Sequence, residues 1–558
     1  MKLLIRDYLA SLKERDELDA VLPDLLSELG FTVFSRPRRG TVQHGVDVAA
    51  VGKDEDGERK VFLFSVKQGD LTRQDWDGSP QALRPSLNEV RDAYIRNRIP
   101  ARYRSLKIVI CLTFGGDVRE EVRDSLTGYI DDHTTDRISF AEWNGDKIAD
   151  LIFRGILREE ILKGKMRSSF RKAVAMIDEP DVALHHFTQL ASDLRNAAAV
   201  SARARVRSAR QLNICLWILF VWSRDLGNVE APYRASEIAL LSIWDLLRPT
   251  IGTNTREHKD LVGVLHQMIH LHLAIASELL ERKVLPYVCV PHGLSWATGS
   301  QNALDVNLVL FELLGRIGLT GLWIHWLGER GLDQSIVQRE TTKFAEAGLS
   351  LIENNPALRL PICDRQGTDV ALFLQLCLAA GPEPARIVSW LEEMVGRLGF
   401  AIRTHGRYTT VFSDYRDLAE HPRDRSDAYL HEATSGSTLI PLIAAWLEAL
   451  GSAEAVETLR ELVQEKLDHC TLQLWTPDAH SEEELYVGQE NHGRALCDLP
   501  LQDGGAALLG AISEACRTIT GFEELSAFKT GFGIIVLLAC RHHQLPVPPG
   551  FWIRHLLP

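Results

Sequence analysis

The sequence has no paired cysteine motif. Its nine cysteines are scattered singly between Cys111 and Cys540, and no two form a C-x-x-C pair. Zinc-ribbon and thioredoxin-type chemistry is thereby excluded. Unpaired thiols at this density point to a reducing compartment, so a cytoplasmic protein is expected. Long apolar runs are lacking as well. The longest, ICLWILFVW at 214–222, falls well short of the roughly 20 residues that span a bilayer, and no membrane partner is expected. The opening MKLLIRDYLASLKERDEL is charged too early for a signal peptide. No G-x-x-x-x-G-K-[ST] stretch is present, which excludes a P-loop within the chain. No constant repeat period is visible, so a regular solenoid is not expected.

An excess of positive charge is also missing. Lys and Arg number 62 against 75 Asp and Glu, a net charge of −13. Residues 1–165 hold 27 basic and 29 acidic residues, a balance of −2, which leaves −11 for the remainder. The chain as a whole is no polycation. Any nucleic-acid surface must be a local patch, best placed in the less acidic N-terminal part. With 558 residues, two or more domains are expected.

What is present in residues 1–160 is an alternation of helix and strand patterns. Leu18, Val21, Leu22, Leu25 and Leu29 recur at helical spacing and stop at Gly30. FTVFS (31–35), VDVAAV (46–51) and KVFLFSV (60–66) read as strands, the last two joined by the turn-rich KDEDGER. After a polar loop comes a helix in SLNEVRDAYIRNR (86–98), a buried strand in KIVICLTF (107–114), and a helix in DVREEVRDSLTGYI. RISFAEW (137–143) is a last strand and NGDKIADLIFRGIL a last helix. That order predicts an α/β domain with helices packed around one sheet. From 164 to 558 the strand signal disappears, and an all-α domain is expected, with a possible subdivision near 400–436. SGSTLIPLIAAWLEALG (435–451) shows its grammar, with Ser437 as N-cap, Pro441 near the first turn and Gly451 as the stop. The polar stretches 402–436 and 476–500 read as structured loops.

The polar residues fall at strand ends. QHGVDVAAVG brings Asp47 in at the start of one strand, and VFLFSVKQGD ends the next with Ser65 and Lys67. Ser65 shares a strand face with Val61 and Leu63, and Phe62, Phe64 and Val66 take the other. An acid and a lysine gathered at adjacent strand ends would hold a hard divalent cation and activate water for attack on a phosphodiester. The acid offers oxygen ligands suited to Mg²⁺, and the lysine orients or deprotonates the water. Strand-end Asp and Lys are also common in any α/β protein, where they are merely solvated.

The arrangement resembles the PD-(D/E)XK nuclease superfamily, the restriction-endonuclease-like fold, in its Mrr and Holliday-junction-resolvase flavour. The resemblance covers residues 1–160, within a domain expected over 1–163: an acidic helix before LGF, then GVD, a hairpin, SVK-Q, a helix, a buried strand, and a last strand with a tryptophan. It implies a mixed sheet flanked by helices and a Mg²⁺- or Mn²⁺-dependent DNA endonuclease. The metal set implied is Asp47, Glu89 and Val66, and the catalytic set adds Lys67, Ser65, Gln68 and Asp19. Ser65 departs from the family pattern, which carries an acid or glutamine two residues before the lysine. Glu89 in the following helix is the residue expected to make good the missing acid. Asp19 is the candidate from the first helix, with Glu17 second. Arg36, Arg38 and Arg39 in SRPRRG are expected to reach a phosphate backbone.

In the defence nucleases that this chain resembles, the second domain senses a trigger, oligomerises or docks an ATPase partner. The resemblance therefore implies an anti-phage effector, DNA as partner, a homo-oligomer and an ATPase or sensor protein. The first alternative is a catalytically inactive nuclease-fold protein that binds nucleic acid or scaffolds a complex, which Ser65 favours, and the second is a helical interaction protein whose N-terminal domain is merely structural. Other features in the helical part are expected to be structural. His266 and His270 lack the glutamate of a zinc protease, with Gln267 in its place. RARVRSAR (203–210) reads as a solvated helix face, and CRHHQLPVPPGFW as a C-terminal cap packed by Trp552.

Overall fold

The chain forms two compact units, Met1–Ala235 and Ser236–Pro558. The computed structural model describes residues 19–36, 44–54, 56–155, 164–478, 480–488, 493–497, 499–518 and 521–556.

The first unit is built on a five-stranded mixed sheet in the order β1-β2-β3-β4-β5. Strands β1 (Thr32–Ser35), β2 (Val48–Lys53) and β3 (Arg59–Lys67) run antiparallel. The β2–β3 turn is closed by Asp54, whose Oδ1 accepts from the Asp56 and Glu58 main-chain N–H groups. β4 (Ile108–Phe114) and β5 (Ile138–Trp143) continue the sheet in parallel. Parallel neighbours need crossovers. Helix α3 (Leu83–Glu89) and its continuation precede β4, and α4 (Glu120–His133) precedes β5. Helix α1 (Asp19–Glu28) leads into β1, and α5 (Gly145–Gly155) follows β5. This order matches the apolar patterns of the sequence.

The alternation along β3 divides the core. Val61 and Leu63 join Ala49, Val51, Ile108, Ile110 and Leu112 under Leu83, Leu87, Val90, Val122, Leu126 and Tyr129. Phe62, Phe64 and Val66 are buried on the opposite face. Two features depart from expectation. The polar stretch 69–85 contains a helix, α2 (Arg73–Asp77), held by a reciprocal cap between Thr72 and Asp75 and by buried Trp76. The helix through 86–98 is also interrupted: Val90–Tyr94 is a π-helical turn, directly after Glu89.

Helices α6 (Gly164–Ala175), α7 (Pro180–Ala198) and α8 (Ala202–Asp225) follow within the first unit. Arg203 and Arg207 of the RARVRSAR stretch are exposed on α8, as expected of a solvated face, while Arg205 and Arg210 are half-buried.

The second unit is helical around buried Trp244, Trp323, Trp446 and Trp552. Its α9 (Ala303–Gly328) packs against α10 (Gly367–Ala380). The approach is close because α9 presents glycine. A Cβ at Gly318 would stand 2.9 Å from the Leu372 and Phe373 main chain, and one at Gly315 would collide with the Asp369 carboxylate. α9 is also the one helix, among the described residues, long and apolar enough to cross a membrane, and 67% of its most apolar window is buried within the protein. Helix α11 (Leu439–Ala449) begins two residues after Ser437, whose Oγ accepts from the Ile440 N–H at 3.0 Å. Gly451 closes it at φ +81°. Strands are not wholly absent here: Gly436–Ser437 pairs with Thr471–Leu472, and Leu474–Thr476 with Arg494–Leu496. Short helices Tyr415–Glu420, Asp427–Ala433 and Glu482–Leu485 lie in stretches expected to be loops.

Candidate active site

The site lies where the β2–β3 hairpin opens. The Asp47 N–H donates to the Phe64 carbonyl at 2.9 Å, and Asp47 Oδ2 accepts from the Val66 N–H at 2.8 Å. These bonds fix Asp47 beside Ser65, one step beyond the Val48–Phe64 pair. Paired residues share a face, and faces alternate along a strand, so Asp47, Ser65 and Lys67 occupy one face of the sheet. Asp47 and Lys67 are half-buried at the ends of the interior strands β2 and β3. Ser65 is only 2% exposed, which suits a hydroxyl better than an ionised acid.

The helix bearing Glu89 covers this same face. Leu83, Leu87 and Val90 pack into the core beneath it, and Glu89 itself points outward. Its Oε2 lies 3.9 Å from Nδ1 of His44, three residues before Asp47. His44 (φ +49°) and Gly45 (φ +73°) form a left-handed turn that brings the chain onto the helix. A Cβ at Gly45 would stand 2.2 Å from the Ser86 carbonyl oxygen, so only glycine allows this approach. The loop feeding Asp47 and the helix carrying Glu89 are therefore clamped together. The π-helical turn at Val90 re-phases the helix just past Glu89, a feature that concentrates at functional sites. His44 and the π turn escaped the sequence reading. The adjacent His-Gly of QHGVD was the available signal for the turn, and nothing in the sequence marks the π turn.

The remaining candidates are distributed as follows. Gln68 follows β3 and is exposed. Val66 can offer a cation only its main-chain oxygen, and its N–H is already committed to Asp47. Asp19 opens α1, and its side chain lies outside the described residues, as does all of Glu17. Arg36 is exposed at the end of β1, whereas Arg38 and Arg39 lie outside the described residues. Beside the site, Asp70 accepts from the Asp117 N–H at 2.9 Å and pairs with Arg119 at 2.6 Å. That carboxylate braces the loops after β3 and β4.

Among the described residues, no group of three or more His, Cys, Asp or Glu side chains is gathered to hold a metal. Asp47 and Glu89 would supply two carboxylates, with the Val66 main chain as a further oxygen. Mg²⁺ suits so sparse an all-oxygen set, because it keeps several waters and takes substrate phosphates as ligands. His266 stacks on Phe532 with ring centroids 6.3 Å apart, and burial followed by the neighbouring His270 charge lowers its pKa. It is a packed histidine in this structure. Compared with known proteins, the chain matches no family model, no curated protein and no solved structure.

Proposed function

We propose that residues 1–163, within the first unit, are a metal-dependent DNA endonuclease of the PD-(D/E)XK kind. One observation carries the reading. Asp47 and Lys67 share a face at the open end of adjacent strands, beneath the helix that bears Glu89. In such a site Asp47 and Glu89 would hold a divalent cation, which lowers the pKa of water and neutralises charge on the phosphate. Lys67 would orient the attacking water and counter the charge that develops on the phosphorane-like transition state. The Val66 N–H holds the Asp47 carboxylate in one rotamer, which fixes how it is presented to a cation. The resemblance extends the reading further: an effector of a prokaryotic anti-phage system, controlled by the helical unit and working as an oligomer or with an ATPase or sensor partner. The test is nicking of plasmid DNA by the purified chain with Mg²⁺ or Mn²⁺. Cleavage that stops with EDTA is expected.

A second reading is favoured by Ser65 in place of an acid. The same fold would then bind nucleic acid without cutting it. Binding of DNA with no cleavage in either metal would select this reading over the first.

A further inference from the structure

A basic strip starts beside the candidate site. Residues 83–107 carry Arg84, Arg91, Arg96, Arg98, Arg102, Arg104 and Lys107 against only Glu89 and Asp92, a local balance of +5 in a chain of net −13. The fold turns this charge outward. Leu83, Leu87, Val90, Tyr94, Ile99 and Tyr103 from the same segment are buried in the core under the sheet. Arg96, Arg98 and Arg102 are exposed, and among the described residues none of the three forms an ion pair with a carboxylate. By contrast, Arg84 and Arg119 nearby are engaged with Asp77 and Asp70.

The strip is also held in shape. The Arg102 guanidinium lies 4.7 Å from the centre of the Tyr103 ring, which orders a planar fork suited to phosphate oxygens. Tyr103 in turn packs on Phe34 of β1, with ring centroids 5.5 Å apart, two residues before exposed Arg36. Exposed cations therefore run from the end of β1 along the helix. At its other end the helix is clamped at Ser86 to the loop that feeds Asp47.

We infer that Arg96, Arg98 and Arg102 form a docking surface for the phosphate backbone of DNA, placed to lead it to the Asp47–Lys67 edge. The last step rests on the nuclease reading; the binding surface does not need it. Backbone contacts carry no sequence information, so binding here is insensitive to base sequence and steeply salt-dependent.

The test is binding of a short labelled DNA duplex by the full chain in EDTA, by anisotropy, over a range of KCl concentrations. The combined variant Arg96→Gln, Arg98→Gln, Arg102→Gln is expected to bind on the order of 10-fold or more weakly at low salt. Its plot of log affinity against log salt should be shallower by nearly three, about 0.9 for each phosphate that is no longer neutralised. The matching Arg→Lys variant should keep most of that slope, and both variants should melt with the wild type. Unchanged affinity and slope in the Gln variant overturns the inference, as does a wild type that does not bind the duplex. Binding of polyglutamate as tight as that of DNA overturns it in favour of an acidic protein partner. Cleavage in Mg²⁺ separates the two readings. A wild type that binds through the strip but never cuts leaves the strip standing and removes the nuclease. A Gln variant that binds and cuts like the wild type does the reverse.

Discussion

Charge is gathered at two places in this molecule, and they differ in their access to water. At the open ends of β2 and β3, Asp47 and Lys67 are half-buried and Glu89 is exposed. In the helical unit, Glu237 and Arg541 are 2% and 4% exposed and bonded to each other. Around them, His542 Nδ1 is 3.2 Å from Glu237, Arg541 reaches Glu312 at 3.6 Å, and Arg316 bonds Glu312 at 2.6 Å. Burial pushes the Glu237 carboxyl up, but Arg541 and His542 outweigh it and hold its pKa near 2. The sealed cluster is closed to solvent. At the open strand ends a carboxylate and an ammonium are half-buried, where solvent reaches them. Burial, more than residue type, separates a structural ion pair from a candidate site.

Removing one partner at each place should break the comparison most visibly. Arg541→Ala leaves buried Glu237 without its guanidinium partner, and should cost about 3–5 kcal/mol of stability. Asp47→Ala gives up the hydrogen bond from the Val66 N–H, about 1 kcal/mol for that bond, and should abolish cleavage. Urea unfolding and plasmid nicking on both variants check the pair. An Asp47→Ala protein that cuts normally would sink the site as drawn, and an Arg541→Ala protein as stable as wild type would show that the buried pair contributes little.

Lys67 sharpens the open side of the comparison. Lys67→Ala should remove turnover and leave duplex binding intact, because the arginine strip is untouched. Lys67→Arg should not restore it, since a planar guanidinium is bulkier and effectively never deprotonates. Single-turnover cleavage beside anisotropy separates the two effects. Normal cutting by Lys67→Ala would mean that β3 simply ends in a solvated lysine.

A smaller contrast lies within the edge itself. If Glu89 supplies the acid absent at position 65, Glu89→Gln should be nearly as damaging to cleavage as Asp47→Ala, and Ser65→Ala mild. Ser65 is closed to solvent, whereas Glu89 is open to it and approaches His44 at 3.9 Å. The opposite ranking in metal-titrated cleavage would transfer the role to the serine hydroxyl.

The two regions were also unequally legible in the sequence. The strands of the first unit follow from period-2 apolar runs bounded by turn residues, and β3 announces itself in VFLFSVK. Asp47 and Lys67 were readable because register places strand ends beside each other. Glu89 was readable as an acid on the next helix, but its clamp was not. That depends on Gly45 meeting Ser86 across 41 positions of sequence, a contact that no local pattern encodes. The basic strip is visible in the composition of 83–107, yet its charges are interleaved with core residues, so it does not stand out as a run. The buried ion cluster was the least legible. Glu237 and Arg541 lie 304 residues apart, and each looks like a surface charge on its own helix. The glycines that let α9 meet α10 are equally silent, because spacing alone does not tell close packing from weak helix.

The finest contrast concerns pH within the buried region. Asp369 is buried against Gly315, and its Oδ1 has no hydrogen-bond partner among the described residues. Burial raises its pKa from 3.8 to about 7, opposed by Arg541 and aided by Glu312. The folded state therefore holds this proton more tightly than the unfolded chain. That contribution is fully present below the unfolded value and is lost as pH rises through about 7. His272 works in the other direction. Its Nδ1 meets Ser236 Oγ at 2.7 Å, and burial lowers its pKa from 6.5 to about 4, opposed by Glu237. Its contribution is present above 6.5 and is lost as pH falls toward about 4. Between about pH 4 and 6.5 the two slopes oppose, each at most about 1.4 kcal/mol per pH unit. In the wild type they should largely cancel. Asp369→Asn should unmask a stability that rises with pH in this window, and His272→Gln one that falls. Urea unfolding across the window reads both slopes. If neither substitution changes the pH profile, these groups titrate alike in the folded and unfolded chain, and burial does not make the sealed region sensitive to protons.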